Sequence, residues 1–191
     1  MQNRKLHTSR DYWEERANKV LSHFTYKYPD EIDLYDICWR YGIRIKPLDP
    51  HYVEGYETIK HLKAFSVPSF KQRRGKIYLK PGLDGIEKKL LLAEEFCHLY
   101  SHFQTQLDIS EYELAKTENQ AKRMAAYLLM PTRFLKDVLN IAYEQAVLVS
   151  DIADYFLVSE QLAHYRLKLM FMHPVDALMA FRGKIGSVEW F

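Results

Sequence analysis

Residues 91–103 read LLAEEFCHLYSHF, two adjacent glutamates followed by a histidine and, one turn later, a second histidine. Glu94 and His98 stand at i and i+4. On a helix that spacing brings two side chains within about 6 Å, close enough to offer two ligands to one cation. In the H-E-x-x-H zinc pattern both of those places are histidine, and the glutamate after the first is the general base. Here Glu94 stands in the first ligand place, Glu95 in the base place and His98 in the second ligand place. On a helical wheel with Glu94 at zero, Leu92, Phe96, Leu99 and Phe103 fall at about 140–200° and form an apolar stripe. Glu94, Glu95, His98 and His102 fall at about 0–100°, away from that stripe. An ordinary helix with charges on its solvated face has the same pattern, so a second stretch must separate the two readings.

That stretch is ELAKTENQAKRMAAYLLMP, residues 113–131. On its own wheel Glu118 sits close to Leu114, Ala121 and Ala125. A carboxylate buried unpaired among small apolar residues would cost several kcal/mol, so it calls for a cation or strong donors. Lys122 and Arg123 are the ordinary partners; a metal ion is the other. His102 offers an alternative ligand through a His98/His102 pair with Glu94. The favoured role for it is to orient a ligand or face a substrate, and a surface histidine is the plain one. Cys97 reads as a packed thiol.

LLAEEFCHLYSHF, ENQAKRMAAYLLMP and DIADYFLVSEQLAHYRLKLM together resemble the ImmA/IrrE family of metallopeptidase-like proteins, over about residues 30–170. The family pattern is an H-E-x-x-H helix, a helix reading roughly E-x-x-A-x-x-F-A-A-x-L-L-M-P, and a helical segment with an A…f-V-S…RL run. The resemblance implies a zincin-like peptidase core holding a divalent metal, zinc first with manganese or iron as alternatives. It places the metal on Glu94, His98 and Glu118, with Glu95 as the base. It also implies cleavage of a helix-turn-helix (Xre-type) repressor encoded by a phage or integrative element. Two positions depart from the pattern. Met124 replaces the family's phenylalanine, a tolerable core exchange, and Glu94 replaces the first histidine. Two carboxylates and one imidazole neutralise a dication more fully than one carboxylate and two imidazoles, so bound water is acidified less. Oxygen ligands also shift preference from Zn²⁺ toward Mn²⁺ or Fe²⁺. Hence two functions stand side by side: a metal-dependent endopeptidase, and a non-catalytic regulator that keeps the peptidase fold and binds the repressor or DNA uncut.

The elements that must hold these residues are helix-rich α+β: a zincin-like core with a small sheet over residues 1–131, then a helix-turn-helix-like segment with a short tail over 132–191. A helix is expected from TSRDYWEERANKVLSHF, capped by Thr8 or Ser9, and another from DEIDLYDICWRY up to Gly42. IRIKPL, LKAFSVPSF and GKIYLK read as strands. Pro68 puts its strand at an edge or demotes it to loop. Helices are expected over 84–107, 110–129, 132–147, 149–157 and 159–171, and the short tail ALMAFRGKIGSVEWF is a candidate for one further strand.

An incoming peptide needs a strand edge beside the motif helix, and GKIYLK is the natural choice. From Thr58 to Leu83 there are seven cations (Lys60, Lys63, Lys71, Arg73, Arg74, Lys76, Lys80) and no acid. This belt suits an acidic partner or nucleic acid, or guards an edge against aggregation. In the third block Ala153 marks a tight crossing, Leu157-Val158 the turn and Ser159 the cap of the second helix. Leu157 stands where a glycine is usual. Because that helix opens Ser159-Glu160-Gln161 and brings His164, Arg166 and Lys168 later, docking or packing is favoured over DNA reading.

The totals agree with one compact domain. Of 191 residues 48% are hydrophobic and 27% charged, with a net charge of +2 that is too small to steer a polyanion, so any basic surface must be local. Only Cys38 and Cys97 are present, which excludes a disulfide framework or a cysteine-built zinc site. No apolar run approaches the roughly 18 residues of a membrane span, and MQNRKLHTSR lacks a signal-peptide core. The expected address is the cytoplasm, with no membrane partner.

Overall fold

The computed structural model describes residues 11–69, 75–101 and 111–189. Thr8, Ser9, Lys71, Arg73, Arg74 and His102 lie outside the described residues. The first helix, α1 (Tyr12–Leu21), starts under a cap from Asp11, whose carboxylate accepts from the Trp13 N–H. Asp11 therefore replaces Thr8 or Ser9 as the cap. The expected 30–41 helix divides into a short 3₁₀ turn, Pro29–Glu31, and α2 (Leu34–Arg40). The division falls where Asp33 turns extended and caps α2 through the N–H groups of Tyr35 and Asp36.

Three strands follow: β1 (Ile43–Pro47), β2 (Ala64–Pro68) and β3 (Gly75–Leu79), with the one-turn helix α3 (Tyr56–Ile59) between β1 and β2. The sheet order is β1-β3-β2, with β1 parallel to β3 (Ile43 opposite Gly75) and β2 antiparallel to it (Ala64 opposite Leu79). GKIYLK is thus the central strand, not an edge. The edge beside the motif helix is β2, as Pro68 required. Alternation explains the two faces. Ile43, Ile45, Ile77 and Leu79 join the main core under the helices, while Phe65 and Tyr78 stack on the other face with Leu48. Gly75 has φ +145°, and a Cβ there would lie 2.3 Å from the Val67 carbonyl oxygen and 3.0 Å from Leu99. Only glycine lets β3 start this close to β2 and to the helix above.

That helix is α4 (Gly85–Ser101), begun by Asp84, which accepts from the N–H groups of Ile86 and Glu87. Against it lies α5 (Glu111–Leu129), whose buried Ala121, Ala125 and Ala126 permit close approach and whose Met124 fills the phenylalanine place at 0% exposure. The chain continues through α6 (Thr132–Ile141), β4 (Val147–Leu148), α7 (Val149–Phe156), α8 (Glu160–Phe171), β5 (Ala177–Phe181) and β6 (Lys184–Val188). The helix expected over 132–147 stops at Ile141, because Val147 and Leu148 pair with β5. The tail supplies two strands, joined by a tight turn with both Arg182 and Gly183 at positive φ, and with β4 they form a second sheet ordered β4-β5-β6. Leu157 ends α7 in the left-handed region at φ 51°, and Ser159 caps α8 by accepting from the Leu162 N–H. One buried cluster runs from Ala17 to Leu178, past Pro131. Among the described residues no helix is long and apolar enough to cross a membrane.

Candidate functional site

The motif helix is not wet on its titratable side. Glu95 is 7% exposed and His98 5%, and Glu94 is partly buried. The apolar stripe of Leu92, Phe96 and Leu99 seats α4 in the core, and α5 and β2 close over the face that the wheel assigned to solvent. Sequence spacing places the residues on one face; it cannot see the neighbours that cover it.

Glu118 comes down from α5 to meet His98. Its Oε2 lies 3.4 Å from His98 Nε2, so two donors from separate helices face each other across the seam. The Glu118 side chain is 51% exposed, which corrects the expectation of a carboxylate enclosed by Leu114, Ala121 and Ala125. It stands at the mouth of the seam, with its oxygens turned toward the buried imidazole. Burial pushes the His98 imidazole down, but the Glu118 hydrogen bond and the charges of Glu95, Glu118 and Glu94 outweigh it and hold the pKa above its ordinary value. Glu94 is raised by burial and by the charge of Glu118, against the opposing pull of Lys122 and His98. Lys122 acts as a local cation on Glu94, whereas Arg123, the other partner expected for Glu118, pairs with Asp11.

Glu95 is the least comfortable group. Burial raises its carboxyl to about 7, opposed by His98 and by a hydrogen bond from Ser66, and reinforced by the charges of Glu118 and Glu94. Its Oε2 is buried without a hydrogen-bond partner among the described residues. Ser66 was missed in the sequence. It lies at the middle of the edge strand, and period-2 alternation turns it toward α4, opposite to Phe65 and Val67. That alternation was the available signal. Cys97 is fully buried, with its thiol pushed well up by burial, so it is a packing group. Cys38 is likewise buried and free, and burial pushes it to about 12.

Glu94, Glu95, His98 and Glu118 thus share one seam. Among the described residues no three His, Cys, Asp or Glu side chains are drawn together tightly enough to form a metal-ligand set. What fits a divalent ion is the chemistry of the donors: an imidazole and a carboxylate already facing each other, a second carboxylate one turn away, and a buried oxygen beside them with nothing to bind.

Residues 38–168, well over half of the chain, match the family Peptidase_M78, described as the IrrE N-terminal-like domain. The chain belongs to this family. The match spans the sheet, the α4–α5 seam and the α7–α8 pair, so this site lies wholly within the family domain. A solved Mycobacterium tuberculosis transcriptional regulator is similar in fold, with a TM-score of 0.54 and 14% identity over 86% of this chain and 48% of that one. This chain spans about half the length of that regulator. A comparison with curated proteins gives no match.

Proposed function

We propose that the protein is a metal-dependent endopeptidase that inactivates a helix-turn-helix (Xre-type) transcriptional repressor of a phage or integrative element. The observation that carries this reading is Glu95, a buried carboxylate held near neutrality beside the His98–Glu118 pair, with one oxygen unsatisfied. Buried carboxylate oxygens are usually hydrogen-bonded, and this one lies among the other titratable groups of the seam. Membership of a peptidase family supports the same conclusion.

In this reading Glu94, His98 and Glu118 hold a divalent ion, zinc or the harder manganese or iron. When bound, that ion supplies Lewis acidity toward a peptide carbonyl and makes water easier to deprotonate. Glu95 does the proton work. Buried one residue from Glu94 and beside His98, its carboxyl is placed to accept a proton from water and release it to a leaving amine. Ser66 stands beside Glu95 and favours its charged form, and the Oε2 atom without a partner among the described residues is the one left for that exchange. Residues Ala64 and Ser66 alternate with those bonded to β3, so their backbone groups face the open side of β2, where an extended substrate can pair.

The partial exposure of Glu118 and the glutamate at position 94 favour a second reading, a regulator that grips the repressor without cutting it. One gel separates the two. The full chain is incubated with the repressor encoded nearest its gene, with added zinc or manganese and with chelator. Fragments that chelator abolishes support the peptidase; an intact repressor in a stable complex, with or without metal, sinks it.

A further inference from the structure

The first sheet has a second face, turned away from α4 and from the site. Its apolar cover ends part-way along. Leu48, Phe65 and Tyr78 are buried there beneath Val53, Tyr56, Ile59 and Leu62. Beyond them the same face presents Arg44 and Lys46 of β1 and Lys76 of β3, which point away from the core because Ile43, Ile45 and Ile77 point into it. Arg44 and Lys76 are exposed and stand directly opposite each other in the parallel register. Like charges placed so repel. Among the described residues neither is in an ion pair, whereas Lys60 and Lys63 are neutralised by Glu57 and Glu87. Of the described cations of the basic stretch, Lys60 and Lys63 are thus paired, while Lys76 joins Arg44 and Lys46, from outside that stretch, on one open face. Lys46 extends the patch and lies over the Tyr52 ring at 5.4 Å.

We propose that this open sheet face, formed by Arg44, Lys46 and Lys76, binds the phosphate backbone of double-stranded DNA. The three cations sit on neighbouring strands of one sheet, so no backbone has to be ordered to present them together to a regular polyanion. The patch offers a peptide no open apolar pocket, because the cluster next to it is already covered; β3 is paired on both sides, and β1, an edge strand, presents Arg44 and Lys46 from its face and not from its edge. Binding by charge alone is what a uniform phosphate backbone accepts. The α7–α8 segment is poorer in this respect: residues 147–189 hold five acids against four bases, and one of those bases, Arg166, is buried at 2% exposure.

The test is a fluorescence-anisotropy titration of the full chain with a mixed-sequence duplex of about 20 base pairs, between about 50 and about 200 mM salt. The expected result is weak, salt-dependent binding. R44Q with K76Q should weaken it about tenfold or more and lower the salt slope by about two, one for each lost phosphate contact. Both side chains are exposed and mutually repulsive, so the variant's thermal midpoint should be equal or higher, which excludes misfolding as the cause. K168Q with R182Q and K184Q, on α8 and the second sheet, should leave binding unchanged. No binding by the parent protein, an undiminished double variant, an equal loss from the α8 variant, or tighter binding of a poly-glutamate peptide than of DNA would each overturn the proposal.

Discussion

The α4–α5 seam around Glu95 and the junction around Arg166 both bury a charged side chain, and the fold treats them differently. Arg166 of α8 is satisfied at every turn. Its Nε donates to the Met130 carbonyl at 3.0 Å, an NH2 group donates to Thr132 Oγ1 at 2.8 Å, and its guanidinium lies over the Tyr127 ring at 4.5 Å. Thr132 passes a hydrogen bond on to Glu14, and the Tyr127 hydroxyl donates to Asp11, which also accepts from Arg123. The network ties α1, α5, α6 and α8 together. Glu95 has Ser66 beside it, and its Oε2 is buried with no hydrogen-bond partner among the described residues. Burial alone therefore does not mark a functional group. Arg166 shows burial that serves stability, and Glu95 shows burial that stability does not explain.

Substitutions can break this contrast. The largest effect is expected from Glu95→Gln: repressor cleavage should fall by about 10³- to 10⁴-fold, equivalent to about 4–5 kcal/mol of barrier, with metal content and folding retained. Retained cleavage would make Glu95 another structural carboxylate. Next is Arg166→Ala, which strands the Met130 carbonyl and Thr132 and opens a cavity; urea unfolding should show a loss of about 3–5 kcal/mol. A change under about 1 kcal/mol would remove the network from any account of stability.

Lys89 is the intermediate case, a half-buried cation with one hydrogen-bond partner among the described residues. It donates from α4 to the Phe156 carbonyl at the end of α7, at 2.9 Å, and burial pushes its pKa down to about 8 despite the opposing charge of Asp30. Between that value and the lysine reference of 10.5 the unfolded chain holds a proton that the folded chain has released. Stability should therefore rise with pH across this window, by at most about 3 kcal/mol, and the full burial cost should apply below it. Denaturation midpoints of the parent and of Lys89→Met, compared between about pH 8 and about pH 10, check this, because the variant should lose that portion of the slope. Identical slopes would mean the ammonium is hydrated in the folded state.

Much of the fold was legible because local periodicity carries it. The strand positions, α4, α5 and the α7–α8 pair follow from apolar spacing, Gly and Pro punctuation and the serine cap. The order of the first sheet was not legible. Whether GKIYLK is central or edge depends on where IRIKPL docks, and a parallel pairing across more than twenty residues leaves no local trace. The end of α6 was missed for the same reason, since Val147 belongs to a strand only once β5 has folded back to it.

At the site, the sequence by itself determined the chemical kinds and their helical phase: Glu94, Glu95 and His98 on one face of one helix, and Glu118 on another, because 3.6-residue geometry is local. The tertiary structure alone decided that this face is covered and not wet, that Glu118 meets His98 at the rim, and that a serine of the edge strand stands beside Glu95. Those outcomes depend on how α4, α5 and β2 pack. Desolvation, which moves the Glu95 carboxyl to about 7, is a property of the surrounding fold and not of the residue.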